Sequence, residues 1–138
     1  KDFVVVRKSP MVIGRYCHAV TYSKGFLYVI GGLSASGAAA ECEKYSVDDD
    51  QWAPLPPLPK ATYNASVVFL ESTQMIYVLE GQGGGRAIRE LCLKEEGWRT
   101  LESQLPFAGR NIPVFSASSG VYFIQESYLY AIDLEGSQ

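Results

Sequence analysis

The side chains that could do chemistry in this chain are few, and they do not converge on one site. His18 is the single histidine, and Cys17, Cys42 and Cys92 are not spaced as metal ligands. A zinc or copper site needs several such ligands together. The acidic run 48–50 lacks the spacing of a calcium loop and is expected to be a solvated turn. We therefore expect no catalytic residue, no metal and no cofactor, and a chain that is not an enzyme.

Two further stretches resemble functional motifs. The glycine-rich run 81–86 suggests a phosphate loop, but such a loop needs a following helix and a Lys-Ser/Thr pair. Residues 87–91 predict a strand instead, so 81–86 is expected to be a flexible inter-strand loop. The proline-rich run 54–59 could bind an SH3-like partner as a polyproline II helix. Proline recurs at Pro106, and we therefore interpret 54–59 as a link between repeats.

The elements around these residues are short apolar runs that repeat. Residues 26–30, Phe-Leu-Tyr-Val-Ile, predict a central strand that ends at a glycine pair. Trp52 recurs as Trp98 and Tyr45 recurs as Leu91, both about 46 residues later. Each period holds four short apolar runs and no helical pattern. This arrangement predicts an all-β chain of propeller blades, each a four-stranded antiparallel sheet.

The repeats divide the chain into four segments. Residues 1–9 are expected to be the last strand of a preceding blade, with Phe3 in the position of the tryptophans. The first repeat covers 10–57, the second 58–104, and an incomplete third 105–138. The expected strands lie near 17–22, 26–30, 42–47, 51–53, 66–70, 75–79, 88–93, 98–101, 114–118, 120–124 and 129–134. The chain therefore carries about three blades' worth of strands.

The composition excludes several classes of partner. The 138 residues are 47% hydrophobic and 20% charged, with a net charge of −3. No basic stripe indicates nucleic acid, and no polybasic segment or long apolar run indicates a membrane. An odd number of cysteines in no metal-like spacing indicates free buried thiols in a reducing compartment, and hence a cytoplasmic protein.

The first repeat resembles a kelch repeat. The similarity is carried by Gly31-Gly32, Tyr45 and Trp52 at these intervals, with Arg15 and His18 before them and the prolines of 56–59 behind. The second repeat keeps Gly81 and Trp98, whereas the third has Gln125 and Glu126 in place of the glycines and keeps Arg110 and Tyr130. The resemblance implies a partial kelch β-propeller, a fold that most often has six blades.

The same resemblance implies a function. Kelch propellers usually serve as protein-binding platforms, either as substrate receptors of ubiquitin-ligase adaptors or as cytoskeletal scaffolds. The alternative is a fragment of a propeller enzyme, because some kelch propellers are copper-dependent sugar oxidases with histidines and tyrosines around the central axis. A chain with one histidine could not build that site alone. We therefore expect a protein–protein interaction module with a protein partner.

The resemblance also places the binding face. In kelch-like propellers one face is built from the loops between second and third strands, here 33–41, 81–86 and 125–127, and from the links 60–64 and 110–111. The side chains expected to contact a partner are Ser34, Ser36, Lys60, Asn64, Arg86, Arg110, Asn111 and Glu126. Arg86 and Arg110 are the best anchors, because a guanidinium pairs with carboxylates and stacks on aromatic rings. Arg110 has an equal alternative as a structural residue that starts a blade, like Arg15.

Three blades do not close a ring. An open array would expose strand edges and apolar faces, so we expect either further blades in a longer parent chain or a homodimer. The chain begins at Lys1 and not at methionine, which favours the longer chain. In the dimer, residues 3–7 of each copy would complete the sheet formed by 114–134 of the other.

Overall fold

The computed structural model describes residues 2–82, 85–95, 97–118 and 120–134. Within these residues it contains β-strands and no helix. The strands are β1 (Ala19–Ser23), β2 (Phe26–Ile30), β3 (Leu33–Ser34), β4 (Gly37–Ala38), β5 (Cys42–Ser46), β6 (Gln51–Leu55), β7 (Ser66–Leu70), β8 (Met75–Leu79), β9 (Ala87–Cys92), β10 (Gly97–Gln104), β11 (Val114–Ala117), β12 (Gly120–Gln125) and β13 (Tyr128–Ile132).

Within the described residues eleven of the strands form three antiparallel sheets in chain order, and β3 and β4 form a separate two-stranded hairpin. Sheet 1 has the order β1-β2-β5-β6, sheet 2 the order β7-β8-β9-β10, and sheet 3 the order β11-β12-β13. The predicted all-β fold with four-stranded antiparallel sheets is confirmed, and the strands lie within a few residues of their expected positions. Strand β1 contacts β7, and β7 contacts β11 and β12. Sheet 2 therefore lies between the other two, with the first strand of each sheet on the inside, as in part of a propeller.

The second strands of sheets 1 and 2 are apolar and buried, and in sheet 2 the neighbouring sheets cover both faces. In β2 the side chains of Tyr28, Val29 and Ile30 are all buried although they alternate between faces, and β8 is buried in the same way. The outer strand β10 is mostly exposed and carries charged and polar residues. Burial thus decreases from the second strand of a blade to the fourth.

Each sheet has a forward face, on the side of the later sheets in the chain, and a backward face on the opposite side. The forward face of sheet 1 contributes Tyr28 and Ile30 to a core cluster with Phe69, Ile76 and Val78 on the backward face of sheet 2. A second cluster joins sheets 2 and 3. It includes Val68, Leu79 and Ile88 of sheet 2, and Val121, Phe123 and Ile132 of sheet 3.

Two segments differ from the sequence-based expectation. Residues 3–7 form no strand, and the side chains of Phe3 and Val5 are almost fully exposed. A strand needs a hydrogen-bonded neighbour, and within the described residues none lies beside this segment. The loop expected at 33–41 contains the hairpin β3–β4, in which Leu33 pairs with Ala38. Its short strands have no hydrophobic alternation that could have predicted them.

The third repeat is shifted relative to its sequence-based alignment. Tyr45 pairs with Leu27 in sheet 1, and Leu91 pairs with Ile76 in sheet 2. The corresponding pair in sheet 3 is Ile132 with Val121. Ile132, and not Tyr130, therefore occupies the position of Tyr45. The expected equivalence of Tyr45 and Tyr130 was wrong, because β12 and β13 are joined by a two-residue turn that shortens the repeat.

Candidate functional site

The loops between second and third strands and the links between sheets lie at the same end of the sheets, called here the link end. Three residues at this end, Cys17, Asn64 and Asn111, adopt positive φ angles of 55°, 55° and 47°. The N–H of Asn64 donates to the carbonyl of Cys17 at 2.9 Å, and the N–H of Asn111 donates to the carbonyl of Asn64 at 2.7 Å. Asparagine tolerates this left-handed conformation better than most residues. The backbone of each repeat is thereby fixed to that of the preceding one.

This hydrogen-bonded series corrects the expected role of Arg110. The N–H of Leu58 donates to the carbonyl of Ala40, and the N–H of Leu105 donates to the carbonyl of Arg86 in the same way. Leu58 and Leu105 are therefore equivalent. Thr62 and Gly109 are equivalent as well, because each lies four residues after its leucine. Arg110 therefore corresponds to Tyr63, and not to Arg15. Its side chain is exposed, and within the described residues it has no ion-pair or hydrogen-bond partner.

Arg15 itself has a structural role. Its guanidinium lies 2.6 Å from the carboxylate of Glu43, and both side chains are almost fully buried. It also donates to the carbonyl oxygens of Gly31 and Glu41. Glu43 in turn accepts the backbone N–H of Val12 at 2.9 Å. This network holds the link before sheet 1 against strands β2 and β5, so neither charge is available to a partner.

The second repeat builds the same junction with different residues. Val29 pairs with Glu43 as Val78 pairs with Arg89, so Arg89 stands in the position of Glu43. Glu80 stands in the position of Gly31, and its carboxylate accepts from Arg89 and from the N–H of Ala87, each at 3.0 Å. Both side chains are nearly buried. The missing glycine of the second repeat is therefore explained by a buried ion pair.

The third repeat places a neutral amide at this position. Gln125 accepts the N–H of Phe107 at 3.2 Å and donates to the carbonyl of the same residue at 2.9 Å. It also donates to the carbonyl of Ala108. Gly31 and Gln125 thus connect the end of a second strand to the link beside it, whereas the side chain of Glu80 connects it to the third strand of the same sheet.

Arg86 is exposed, but its side chain is not free in solution. Its guanidinium donates to the side-chain oxygen of Gln104 at 3.0 Å and to the carbonyl of Pro106 at 3.3 Å. The N–H of Gly109 donates to the carbonyl of Gly85, which brings the loop that carries Arg86 against the link that carries Arg110. The two arginines selected from the sequence are therefore on adjacent segments of the link end.

The other expected contact residues divide into two groups. Lys60, Asn111 and Glu126 are exposed. Asn64 is partly buried and donates from its side chain to Gln82 at 3.1 Å. Ser34 and Ser36 lie on the β3–β4 hairpin with their hydroxyls 3.2 Å apart. Ser36 is exposed like the first group, whereas Ser34 and Asn64 are partly buried.

Sequence analysis missed two aromatic residues at the link end. Tyr16 forms a β-bridge with Leu33, and Tyr63 forms the equivalent bridge with Gln82. Because Arg110 corresponds to Tyr63, all three residues occupy the same position in successive repeats. Tyr16 is 62% exposed. The residue after Tyr16, Tyr63 and Arg110 adopts a positive φ angle in every repeat. In two of the three repeats this residue is an asparagine, which is the sequence signal that could have identified the position.

The histidine and the cysteines show no catalytic arrangement. The side chain of His18 is largely exposed; desolvation of its buried part and the charge of Arg15 lower its pKa. Cys17 is also exposed, contrary to the expectation of buried thiols, whereas burial raises the pKa of Cys42 to about 11. Across the described ranges, no three histidine, cysteine or acidic side chains are grouped to hold a metal ion. In the same ranges no helix could cross a membrane.

The repeated sheets and the recurring junction at the end of each second strand agree with the comparisons to known proteins. The sequence model described as Kelch motif matches residues 14–59, which is sheet 1 with its flanking links. Kelch-like protein 35 of Mus musculus is 28% identical over 86% of this chain. A kelch repeat-containing protein of Dictyostelium discoideum is 36% identical over 49% of the chain. These matches support a kelch-repeat protein.

The chain is short relative to these proteins. It spans 21% of the length of the mouse protein and 10% of the length of the Dictyostelium protein. The similarity therefore concerns the kelch repeats, and the remainder of each relative has no counterpart in the 138 residues.

Proposed function

We propose that this chain is a protein-interaction module that binds a partner protein through its link end. The observation that carries the proposal is the contrast between fixed backbone and exposed side chains there. The backbone of Asn64 and Asn111 is hydrogen-bonded from repeat to repeat, while Lys60, Arg110 and Asn111 project exposed side chains from the same links. Variable side chains on a rigid scaffold are typical of binding surfaces.

A fixed backbone favours binding because little conformational entropy is lost when the partner docks. Arg110 offers five N–H donors in a planar fork, and its equivalents Tyr16 and Tyr63 offer aromatic surface. Arginine and tyrosine are enriched among the residues that dominate interface energies. Lys60 adds a second positive charge three residues before Tyr63, and Glu126 adds a negative charge to the same end. The exposed residues of the link end therefore suit a partner that presents carboxylates and aromatic or aliphatic groups.

The cellular role that we propose is that of a receptor or scaffold within a larger protein. Kelch propellers usually serve as protein-binding platforms, and the role that follows is a substrate receptor in a ubiquitin-ligase adaptor or a cytoskeletal scaffold, acting in the cytoplasm; the similarity to Kelch-like protein 35 supports the kelch resemblance behind it. The function is binding and not catalysis. Additional domains of the parent protein would then act on the partner held by the kelch repeats.

The experiment is an affinity capture followed by a comparison of single substitutions. Partners captured by the chain are identified by mass spectrometry, and their dissociation constants are measured for Arg110→Ala and Arg86→Ala. Lys94→Ala is the matched control, because Lys94 is an exposed cation on the β9–β10 turn at the opposite end. Arg110→Ala is expected to weaken binding about tenfold or more, and Arg86→Ala less, because Arg86 is already bonded to Gln104. Loss of binding in Lys94→Ala but not in Arg110→Ala would contradict the proposed face.

A further inference from the structure

A cleft lies between the outer strands of sheets 1 and 2. Its volume is about 290 Å³, and its walls include Tyr28, Lys44 and Leu55 of sheet 1 and, from the second repeat, Leu91 and Leu93. In a propeller, neighbouring sheets separate toward their outer strands, which leaves room between β5 and β9. Both walls belong to the described residues. The cleft is therefore a feature of the packing between sheets 1 and 2, and none of the contact residues expected at the link end lines it.

The side chains that line this cleft are apolar except for the hydroxyl of Tyr28 and the ammonium of Lys44. Lys44 is partly buried, and its ammonium lies 5.6 Å from the centre of the Phe26 ring. An ammonium held against an aromatic face keeps N–H donors for an anion. In the described ranges no carboxylate lies within ion-pair distance of Lys44, and its ammonium donates no hydrogen bond. The cleft thus holds a positive charge with no counter-charge.

Sheet 2 has an ion pair at the position where sheet 1 has this single cation. Lys44 and Glu90 are equivalent, since each lies opposite the tyrosine of the second strand in its sheet. Glu90 lies opposite Arg99 of the fourth strand, and Arg99 donates to its carboxylate at 2.6 Å. Lys44 lies opposite Ala53, which carries no charge and has a small side chain. Cross-strand neighbours of opposite charge stabilise a sheet. Sheet 1 therefore lacks the anion that would complete the pair, and Ala53 leaves space for one.

We infer that this cleft binds a peptide segment of a partner protein in which an acidic residue lies beside an aliphatic or aromatic one. The carboxylate of the peptide pairs with the ammonium of Lys44, and the apolar side chain covers Leu91 and Leu93. A partly buried ion pair is screened less by salt than an exposed one, and the covered leucines lose contact with water. This site goes beyond the proposed link-end surface and does not depend on it.

The shape of the site suits an extended peptide better than a small molecule. Beyond Lys44 the cleft continues into a second depression of about 200 Å³, which Phe26, Ser46 and Ala53 help to form. Both depressions are lined by residues of β6 (Gln51–Leu55). Five residues of a strand span about 17 Å, and an extended peptide of similar length would occupy both depressions. A small carboxylate would fill only one of them.

The test is binding of the chain to an array of immobilised hexapeptides in which one glutamate, glutamine or lysine lies between leucine and phenylalanine residues. The wild-type chain is expected to bind the glutamate peptides about tenfold more tightly than the glutamine peptides, because only a carboxylate pairs with Lys44. Lys44→Met should remove this preference, and Lys44→Glu should transfer it to the lysine peptides. Lys24→Met is the matched control and should keep the wild-type preference, because Lys24 is an exposed cation on the β1–β2 turn outside the cleft.

Free 4-phenylbutyrate is the competing probe, because it carries a carboxylate and an apolar body without a peptide backbone. It should bind the wild-type chain about tenfold more weakly than the best glutamate peptide, and equal affinity would overturn the assignment of a peptide. Equal binding of glutamate and glutamine peptides to the wild-type chain, or a glutamate preference that persists in Lys44→Met, would overturn the site. The lysine preference expected of Lys44→Glu is a gain of binding, which a misfolded variant would not produce; its absence would also overturn the site.

Discussion

Trp98 donates its indole N–H to the carbonyl oxygen of Pro56 at 2.7 Å, and thereby ties the outer strand of sheet 2 to the link that precedes the sheet. Trp52 makes the same contact with Ser9 in the first repeat, also at 2.7 Å. Both indole rings are partly buried, and Trp98 packs in the core cluster between sheets 1 and 2. The spacing of the two tryptophans in the sequence therefore reflects one hydrogen bond that recurs in each complete repeat.

Replacing Trp98 by phenylalanine should destabilise the fold by about 1–3 kcal/mol, because the Pro56 carbonyl loses its donor and the cluster loses contact area. The measurement is the free energy of unfolding from urea titration. Trp52→Phe should have a similar effect through Ser9. Tyr16→Phe, which changes a 62% exposed ring, is the control and should be nearly neutral. Equal stability of Trp98→Phe and the control would show that the hydrogen bond contributes nothing.

Substitutions of Glu80 and Arg89 should have strongly coupled effects on the free energy of unfolding, because the two side chains form a buried ion pair. Arg89→Met leaves the buried carboxylate of Glu80 without its cation and should cost about 3–5 kcal/mol. The double variant Glu80→Gln with Arg89→Met removes both charges and should recover a large part of that loss. The coupling energy is obtained from a double-mutant cycle of urea unfolding. Additive effects of the two substitutions would mean that the pair is not an energetic unit.

The sequence predicted the sheets well because their signal is local. Continuous apolar runs such as 26–30 and 75–79 match strands β2 and β8 at both ends. Most side chains of both strands are buried, and β8 is covered by a sheet on each side, so apolar residues occupy both faces. The strand prediction was poorer for residues that no other element covers. The segment 3–7 is as apolar as a strand but has nothing to pair with in the described residues, and propensity alone does not order it.

The candidate site was predicted less accurately, because its geometry depends on contacts between repeats. Arg110 had been considered a possible counterpart of Arg15 at the start of a blade, but backbone hydrogen bonds place Gly109 at that position. The partners of Arg86 and Glu80 could not be inferred from spacing, since each bond crosses a loop. The sequence did identify the loops of the link end, because they are rich in glycine and polar residues.

Gly109 should be the least replaceable of the glycines at the link end. A methyl group at its Cα would meet the carbonyl oxygen of Glu80 well inside contact distance, and this oxygen belongs to the backbone at the end of β8, which cannot move aside. Leu105 lies on the same side of the glycine. Gly109→Ala should therefore destabilise the chain by about 2 kcal/mol or more, because the link must separate from sheet 2.

Gly14→Ala is the matched control for this substitution. Gly14 also lies in a link, one residue before Arg15, but a methyl group added there meets no atom of the described chain within 4 Å. The control should change the free energy of unfolding by no more than about 0.5 kcal/mol. Both variants are compared with the wild-type chain by urea titration under the same conditions. Equal stability of Gly109→Ala and Gly14→Ala would show that the link is not held against the carbonyl of Glu80, and the proposed rigidity of the link end would lose its structural basis.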